Sequence, residues 1–321
     1  MKRKVFIILI YFIFLYCLIC FSGCFFNNYD DDIAVVCTMF PQYDWIKNIV
    51  GETSGYTFEV LADSGVDLHN YQPTADDIIK IKTCDIFVYV GGESDEWVED
   101  ILNSESTNDR MLVVNLMDVL SDSLIETQHS HDEEHSHDEE HLHFDEHVWL
   151  SLKNADLFVE NIAQNLILKY SEHALVFEQN ATEYRAKLAT LDNQYQQAVS
   201  NARVDTIVFA DRFPFAYLFK DYGINYYSAF DGCSAESEAT LEVIINLAKQ
   251  VDLLNLKYVL VTDVADNAIA QSVINNTVLK NQSVLVLNSF QRILANDIYG
   301  DISYLKIMTE NLDILQRALN N

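Results

Sequence analysis

Short apolar runs, rich in β-branched and aromatic residues, alternate along this chain with longer segments of helical periodicity. That alternation is the pattern of parallel α/β units. Four such runs fall in the first half, at 33–36, 57–61, 86–90 and 112–116, and four in the second, at 206–210, 224–227, 258–262 and 284–287. Helical segments lie between them, for instance at 74–82, 239–250 and 265–275. Four predicted strands on each side imply two similar α/β lobes.

Between the halves the pattern changes. From 153 to 201 there is no Gly, no Pro and no strand-like run, and Ala, Leu, Glu, Gln and Asn dominate, which favours helix. Ser171 with Glu172 behind it reads as the start of a second helix. The stretch 173–201 then forms one helix of roughly 40 Å at 1.5 Å per residue, a stiff strut between lobes. It carries no sustained coiled-coil seam. Near the end, Leu305, Met308, Leu312, Leu315 and Leu319 make one apolar helical face, read as core packing.

The N-terminus follows a different logic. Lys2, Arg3 and Lys4 precede an apolar run at 5–21 that ends in Phe21-Ser22-Gly23-Cys24. This predicts a lipoprotein signal at 1–23, a lipid on Cys24 and a tether at 24–32. An uncleaved anchor helix is the alternative, and both put the remainder outside the cytoplasm, on the outer face of a bacterial cell membrane. The expected divisions beyond are a first lobe at 33–170, a linking helix at 171–202 and a second lobe at 203–321.

The formal net charge of −29 grows three units more negative once the signal is removed. Such a chain repels nucleic acid and anionic surfaces and attracts cations. Beyond the signal and Cys24, three cysteines remain: Cys37, Cys84 and Cys233. A Cys37–Cys84 disulfide is permitted in an exported protein, and spacing alone leaves it open.

The densest chemistry lies at 128–143. His129, His131, His135, His137, His141 and His143 supply six of the nine histidines, in a repeated H-S-H-D-E-E unit. Imidazoles among carboxylates suit zinc, copper or nickel, and the charge density keeps the segment solvated, so it is expected to collect several ions weakly. A purely solubilising acidic loop is the bland alternative. Of the other histidines, His173 reads as a surface residue at a helix start. His69 follows the second predicted strand and His147 precedes a long helix. Both can line one cleft beyond the carboxyl ends of the strands. Together, beside a metal-collecting loop, they are the candidate ligands.

The stretches Thr38-Met-Phe-Pro-Gln-Tyr-Asp44, His69-Asn-Tyr-Gln-Pro-Thr74, Gly91-Gly-Glu-Ser-Asp95, Asp145-Glu-His147-Val-Trp-Leu150 and Tyr304-Leu-Lys-Ile-Met308 carry a resemblance. Over essentially the whole chain beyond the signal, the sequence resembles the zinc/manganese substrate-binding lipoproteins of ABC transporters. The resemblance implies two (β/α)4 lobes with parallel sheets, a rigid backbone helix and one metal in the cleft between the lobes. It implies zinc as cargo, with manganese or nickel as alternatives, a monomer, and delivery to the permease of an ABC metal importer. Small lobe movements are expected rather than wide closure.

His69 and His147 match the two histidines of the family's first lobe. The second lobe departs from the pattern. Arg212 falls at the third ligand position and stays protonated, so it cannot coordinate zinc. Asn288 falls at the fourth, and an amide is a poor zinc partner. Three completions stay open: an acid such as Asp211, Glu236 or Asp263; water; or capture by the loop itself. Glu93 and Asp95 are expected to support or cap the site rather than bind.

Capture without catalysis is the expected function. A secreted metalloenzyme built on the same histidines is disfavoured, because neither H-E-x-x-H nor G-x-S-x-G is present. A metal-buffering surface lipoprotein or adhesin without a transport role is the other alternative.

Overall fold

The computed structural model describes residues 32–63, 65, 68–127, 143–230, 239–298 and 300–320. The predicted signal, Cys24, Cys233, Glu236 and the loop histidines other than His143 lie outside the described residues. Among the described residues no helix is long and apolar enough to cross a membrane.

The first lobe runs β1 (Ile33–Cys37), α1 (Phe40–Val50), β2 (Tyr56–Val60), α2 (Ala75–Thr83), β3 (Ile86–Tyr89), α3 (Trp97–Leu102), β4 (Leu112–Asn115) and α4 (Leu116–Leu120). Two long helices follow, α5 (Leu152–Lys169) and α6 (Ala174–Ser200). The second lobe runs β5 (Thr206–Arg212), α7 (Ala216–Tyr222), β6 (Asn225–Phe230), α8 (Leu241–Leu253), β7 (Tyr258–Thr262), α9 (Ala268–Asn276), β8 (Ser283–Leu287), α10 (Ala295–Ile298) and α11 (Tyr304–Leu319). Each predicted strand is present, and the segment read as one long helix is helical over 27 residues. The two-lobe α/β reading therefore holds.

Both sheets are parallel and four-stranded, in the order β2-β1-β3-β4 and β6-β5-β7-β8. In each, chain direction across the sheet reverses beside the first strand, the switch point where open α/β sheets form a ligand crevice. Strand alternation sends side chains to two different cores. Val35 and Cys37 of β1, Ile86 and Val88 of β3, Ile207 and Phe209 of β5 and Leu285 and Leu287 of β8 enter one continuous core. Phe177, Tyr184, Leu188, Leu191 and Tyr195 of α6 enter the same core. The opposite faces are covered separately, by a small cluster around Ile81 and Phe87 and another around Val251 and Val259.

The lobes thus share their inner core, and buried hydrogen bonds cross it. The Tyr195 hydroxyl donates to the Met308 carbonyl (2.6 Å), Tyr304 to the Trp149 carbonyl (2.8 Å), and the Trp149 indole to the Ser289 carbonyl (3.0 Å). Tyr184 donates to Asp44 at 2.8 Å. Burial raises the Asp44 carboxyl above its ordinary range, and this bond partly offsets the shift. Opening such an interface would strip partners from buried polar groups, each costing about 1–3 kcal/mol.

The structure settles one open question and corrects one expectation. Cys37 and Cys84 are free, buried thiols. Cys37 points into the shared core and Cys84 into the outer cluster, where its thiol meets the Ile81 carbonyl and the Met111 sulfur. Thiols directed into different clusters cannot bridge without backbone movement. His173 is not a plain surface residue: its half-buried ring packs against Tyr56 and Phe177, with centroids 6.1 and 5.7 Å away.

Candidate metal centre

His69 sits in a short 3-10 turn, Leu68–Asn70, beyond β2. His147 immediately precedes another, Val148–Leu150, whose three residues are fully buried. The two rings come together. Their Nε2 atoms lie 3.1 Å apart, with ring centroids at 5.2 Å.

Each ring is held from behind by its own lobe. His147 Nδ1 lies 2.8 Å from Asp145 Oδ1, which also accepts the His147 backbone N–H at 2.8 Å. A carboxylate only accepts, so Nδ1 carries the hydrogen and the Nε2 lone pair faces the cleft. His69 Nδ1 meets Ser94 Oγ at 2.8 Å and lies 3.7 Å from Glu146 Oε2. Ser94 is placed in turn by its backbone N–H, which donates to Glu146 Oε1 at 2.9 Å.

The glycine pair before Ser94 permits this packing. Gly92 has φ 80°, and a Cβ there would stand 2.6 Å from Glu146 Oε1. Asp95 closes the turn, its Oδ2 accepting from the Val90 and Gly91 backbone N–H groups at 2.9 and 3.1 Å. It acts as the expected cap. Burial pushes its carboxyl up to about 7; the two backbone bonds oppose the shift, and Glu146 adds to it. Among the described residues, Asp95 Oδ1 and Glu146 Oε2 are buried without a hydrogen-bond partner. Glu146, whose Oε2 lies 3.7 Å from His69 Nδ1, puts acceptor oxygen behind the imidazoles.

The second lobe meets the pair at a residue the sequence reading passed over. Gln291, 5% exposed, brings its side-chain nitrogen to 3.2 Å from His147 Nε2. The turn that carries it is tightly constrained. Asn288 Oδ1 accepts the Phe290 N–H at 2.8 Å, while Asn311 bonds both the N–H and the carbonyl of Asn288. Phe290 is left-handed at φ 63°, an uncommon conformation for a bulky residue, and its ring stacks on Tyr304 and Phe40. Asn288 is therefore committed to shaping the turn, and Gln291 is the residue delivered to the histidines. A buried Gln between Phe290 and Ile293 was the available signal.

Asp211 is also committed elsewhere. Its Oδ2 accepts from the Thr262 backbone N–H at 3.0 Å and from the Thr262 hydroxyl. With Arg212, Gly65, Asn70 and Arg292 it lines a cavity of about 770 Å³. Asp263 Oδ1 accepts the Ser289 backbone N–H at 2.7 Å and lies 2.7 Å from the Ser289 hydroxyl oxygen. Among the described residues, no three His, Cys, Asp or Glu side chains group to hold a metal. Two imidazoles with an amide beside them are what the fold assembles.

His143 is the loop histidine that is described. An isolated bridge pairs Glu126 with Phe144, and the Thr127 N–H donates to the His143 carbonyl at 2.8 Å, so the two ends of the histidine-rich segment lie together. The His143 ring contacts Glu93, one residue from Ser94. The Tyr217 hydroxyl accepts from the Ile125 N–H and donates to the Asp145 carbonyl, tying this root to the second lobe.

Known proteins share this sequence pattern and fold. A family model described as "Zinc-uptake complex component A periplasmic" matches residues 35–318. The chain is 30% identical over 292 residues to the zinc-binding protein AdcA of Streptococcus pyogenes serotype M3, covering 88% of this chain and 55% of AdcA. It therefore spans about half the length of those relatives. It is 28% identical over 290 residues to the high-affinity zinc uptake system protein ZnuA of Bacillus subtilis, covering 90% of this chain and 88% of that one. Among solved structures, the Zn(II)-bound ZnuA-like domain of Streptococcus pneumoniae AdcA superposes with a TM-score of 0.70 at 26% identity, over 90% of this chain and 100% of that domain. The metal-dependent lipoprotein YcdH of Bacillus subtilis gives 0.72 at 26% identity, over 89% and 99%. From its sheets, its paired histidines and a match across nearly its whole described length, the chain belongs to the family of the periplasmic component A of zinc-uptake complexes.

Proposed function

We propose that this protein captures zinc outside the cytoplasm at His69 and His147 and delivers it to the permease of an ABC importer. The observation that carries this reading is the 3.1 Å approach of the two Nε2 atoms. A tetrahedral zinc with Zn–N bonds of about 2.0–2.1 Å holds two ligating nitrogens about 3.3 Å apart, so a small adjustment of the rings admits the ion. Two imidazoles favour zinc or nickel over manganese, which prefers oxygen.

Asp145 and Ser94 orient the rings, Glu146 adds negative field, and Asp95 holds the turn that carries Ser94. Gln291 closes the pocket from the second lobe, and the family's role in zinc uptake supports zinc as the cargo. The Cys24 lipid would keep a monomeric receptor at the membrane, and the segment at 128–143 would raise the local ion concentration. The shared core favours release by small side-chain and loop movements.

The test is a competition titration of zinc against a chelator, using wild type, His69→Ala and a deletion of 128–142. Tight binding is expected to vanish with His69→Ala and to survive the deletion. Tight binding that follows the loop and ignores His69 would refute the assignment.

A further inference from the structure

This inference rests on the zinc reading above and concerns how the second lobe meets the ion. Ser289, fully buried, has one hydroxyl hydrogen and two oxygen neighbours able to take it. Asp263 Oδ1 is 2.7 Å away and Gln291 Oε1 is 3.1 Å away. The far side of the Gln291 amide presents its nitrogen to His147 Nε2 at 3.2 Å. Asp145 holds the hydrogen of His147 on Nδ1, so Nε2 offers a lone pair and receives an N–H from Gln291. That arrangement suits imidazoles without a cation. A cation on Nε2 uses the lone pair and repels the amide hydrogens.

Rotating the terminal amide by half a turn exchanges its oxygen and nitrogen with almost no change of shape, because this torsion is broad and two-fold. The oxygen then faces the cation, and the nitrogen faces Ser289 Oγ. The Ser289 contact survives the exchange. Its hydroxyl turns from donating to Gln291 Oε1 to donating to Asp263 Oδ1, and its oxygen accepts the Gln291 N–H. Asp263 is what makes the second state available, as an acceptor already in place at hydrogen-bond distance.

We propose that Asp263 and Ser289 are positioning residues that let Gln291 reverse its amide. Nitrogen faces the histidines when they are empty, and oxygen faces a bound divalent cation as a neutral ligand. A carboxylate at position 291 could offer oxygen only, and would add charge to the ion's contacts. The amide thus provides a contact that engages the cation yet releases it without separating opposite charges.

A double-mutant comparison on the full chain tests this, reading zinc affinity by chelator competition. Ser289→Ala is expected to weaken zinc binding about tenfold, the usual scale for residues that orient a metal ligand. Asp263→Ala is expected to do the same. In the Q291E background, where oxygen faces the ion in either orientation, both costs should fall below about twofold. Gln291→Leu should lose at least as much as Ser289→Ala. Nitrogen-15 spectra of wild type should show the Gln291 side-chain resonances shift on zinc addition, and this shift should be absent in Ser289→Ala.

Equal costs in the Gln and Q291E backgrounds would mean a merely structural role and overturn the proposal. So would wild-type affinity in Gln291→Leu, with His147→Ala still abolishing tight binding. If His147→Ala itself left tight binding intact, the zinc assignment would fail, and this proposal with it. Should Asp263→Ala fold poorly, Ser289→Ala and the spectra decide.

Discussion

The two lobes repeat one architecture but equip the cleft unequally. The first contributes both imidazoles and the groups behind them: Asp145 behind His147, with Ser94 and Glu146 behind His69. The second contributes one amide, on a turn held by Asn288, Asn311 and the stacked Phe290. Its nearby acids are turned to other work, Asp211 to Thr262 and Asp263 to Ser289. The contrast teaches that cation affinity and lobe contact can be carried by different halves. Charge and lone pairs concentrate in one lobe, while the other supplies a neutral, reversible contact.

The largest expected effect breaks the first lobe's half. His147→Ala removes an imidazole and leaves Asp145 and Gln291 facing an empty pocket; zinc affinity measured by competition should fall at least about a hundredfold, more than loss of a supporting residue costs. Asp145→Asn is the next step down. The amide oxygen can still accept from Nδ1 and the backbone, so only charge is lost, and affinity should fall about tenfold with the melting temperature nearly unchanged.

Asp95 sharpens the comparison through pH. Burial raises its carboxyl from the ordinary aspartate range to about 7, so folding favours the protonated form. Its stabilising contribution is complete below the unfolded value and is lost as pH rises through the folded one. Asp95→Asn is neutral throughout and should gain stability relative to wild type between about pH 4 and pH 7, then hold a constant margin. The gain should approach roughly 1.4 kcal/mol for each pH unit of that window, read from denaturant unfolding at several pH values. A margin independent of pH would show that folding does not shift the Asp95 carboxyl.

The smallest effect belongs to the second lobe's unused acid. Asp211→Asn should change zinc affinity less than about twofold, because Asp211 Oδ2 is engaged by the Thr262 backbone N–H and hydroxyl. A tenfold loss would return Asp211 to the site.

Much of the fold was legible in the chain. Eight short β-branched runs separated by helical periods could hardly form anything but parallel α/β units, and the absence of Gly and Pro across 153–201 favoured long helices. The first half of the site was legible too, because His69 and His147 stand in local motifs beside their own supporting residues. The Cys37–Cys84 pairing stayed open because spacing does not reveal which core each thiol enters. His173 was misread because its aromatic neighbour Tyr56 is distant in the chain.

The second half of the site could not be read this way. Asn288 and Gln291 are three residues apart and both amides. Which one reaches the histidines depends on a turn whose shape is set by Asn311 of α11 and by rings from α1 and α11. Composition and periodicity determined the lobes, the strut, the acidic charge and the histidine pair, because those follow from local pattern. Tertiary structure alone decided what stands opposite the pair, because a side chain's reach across a cleft is fixed by packing between segments far apart in the chain.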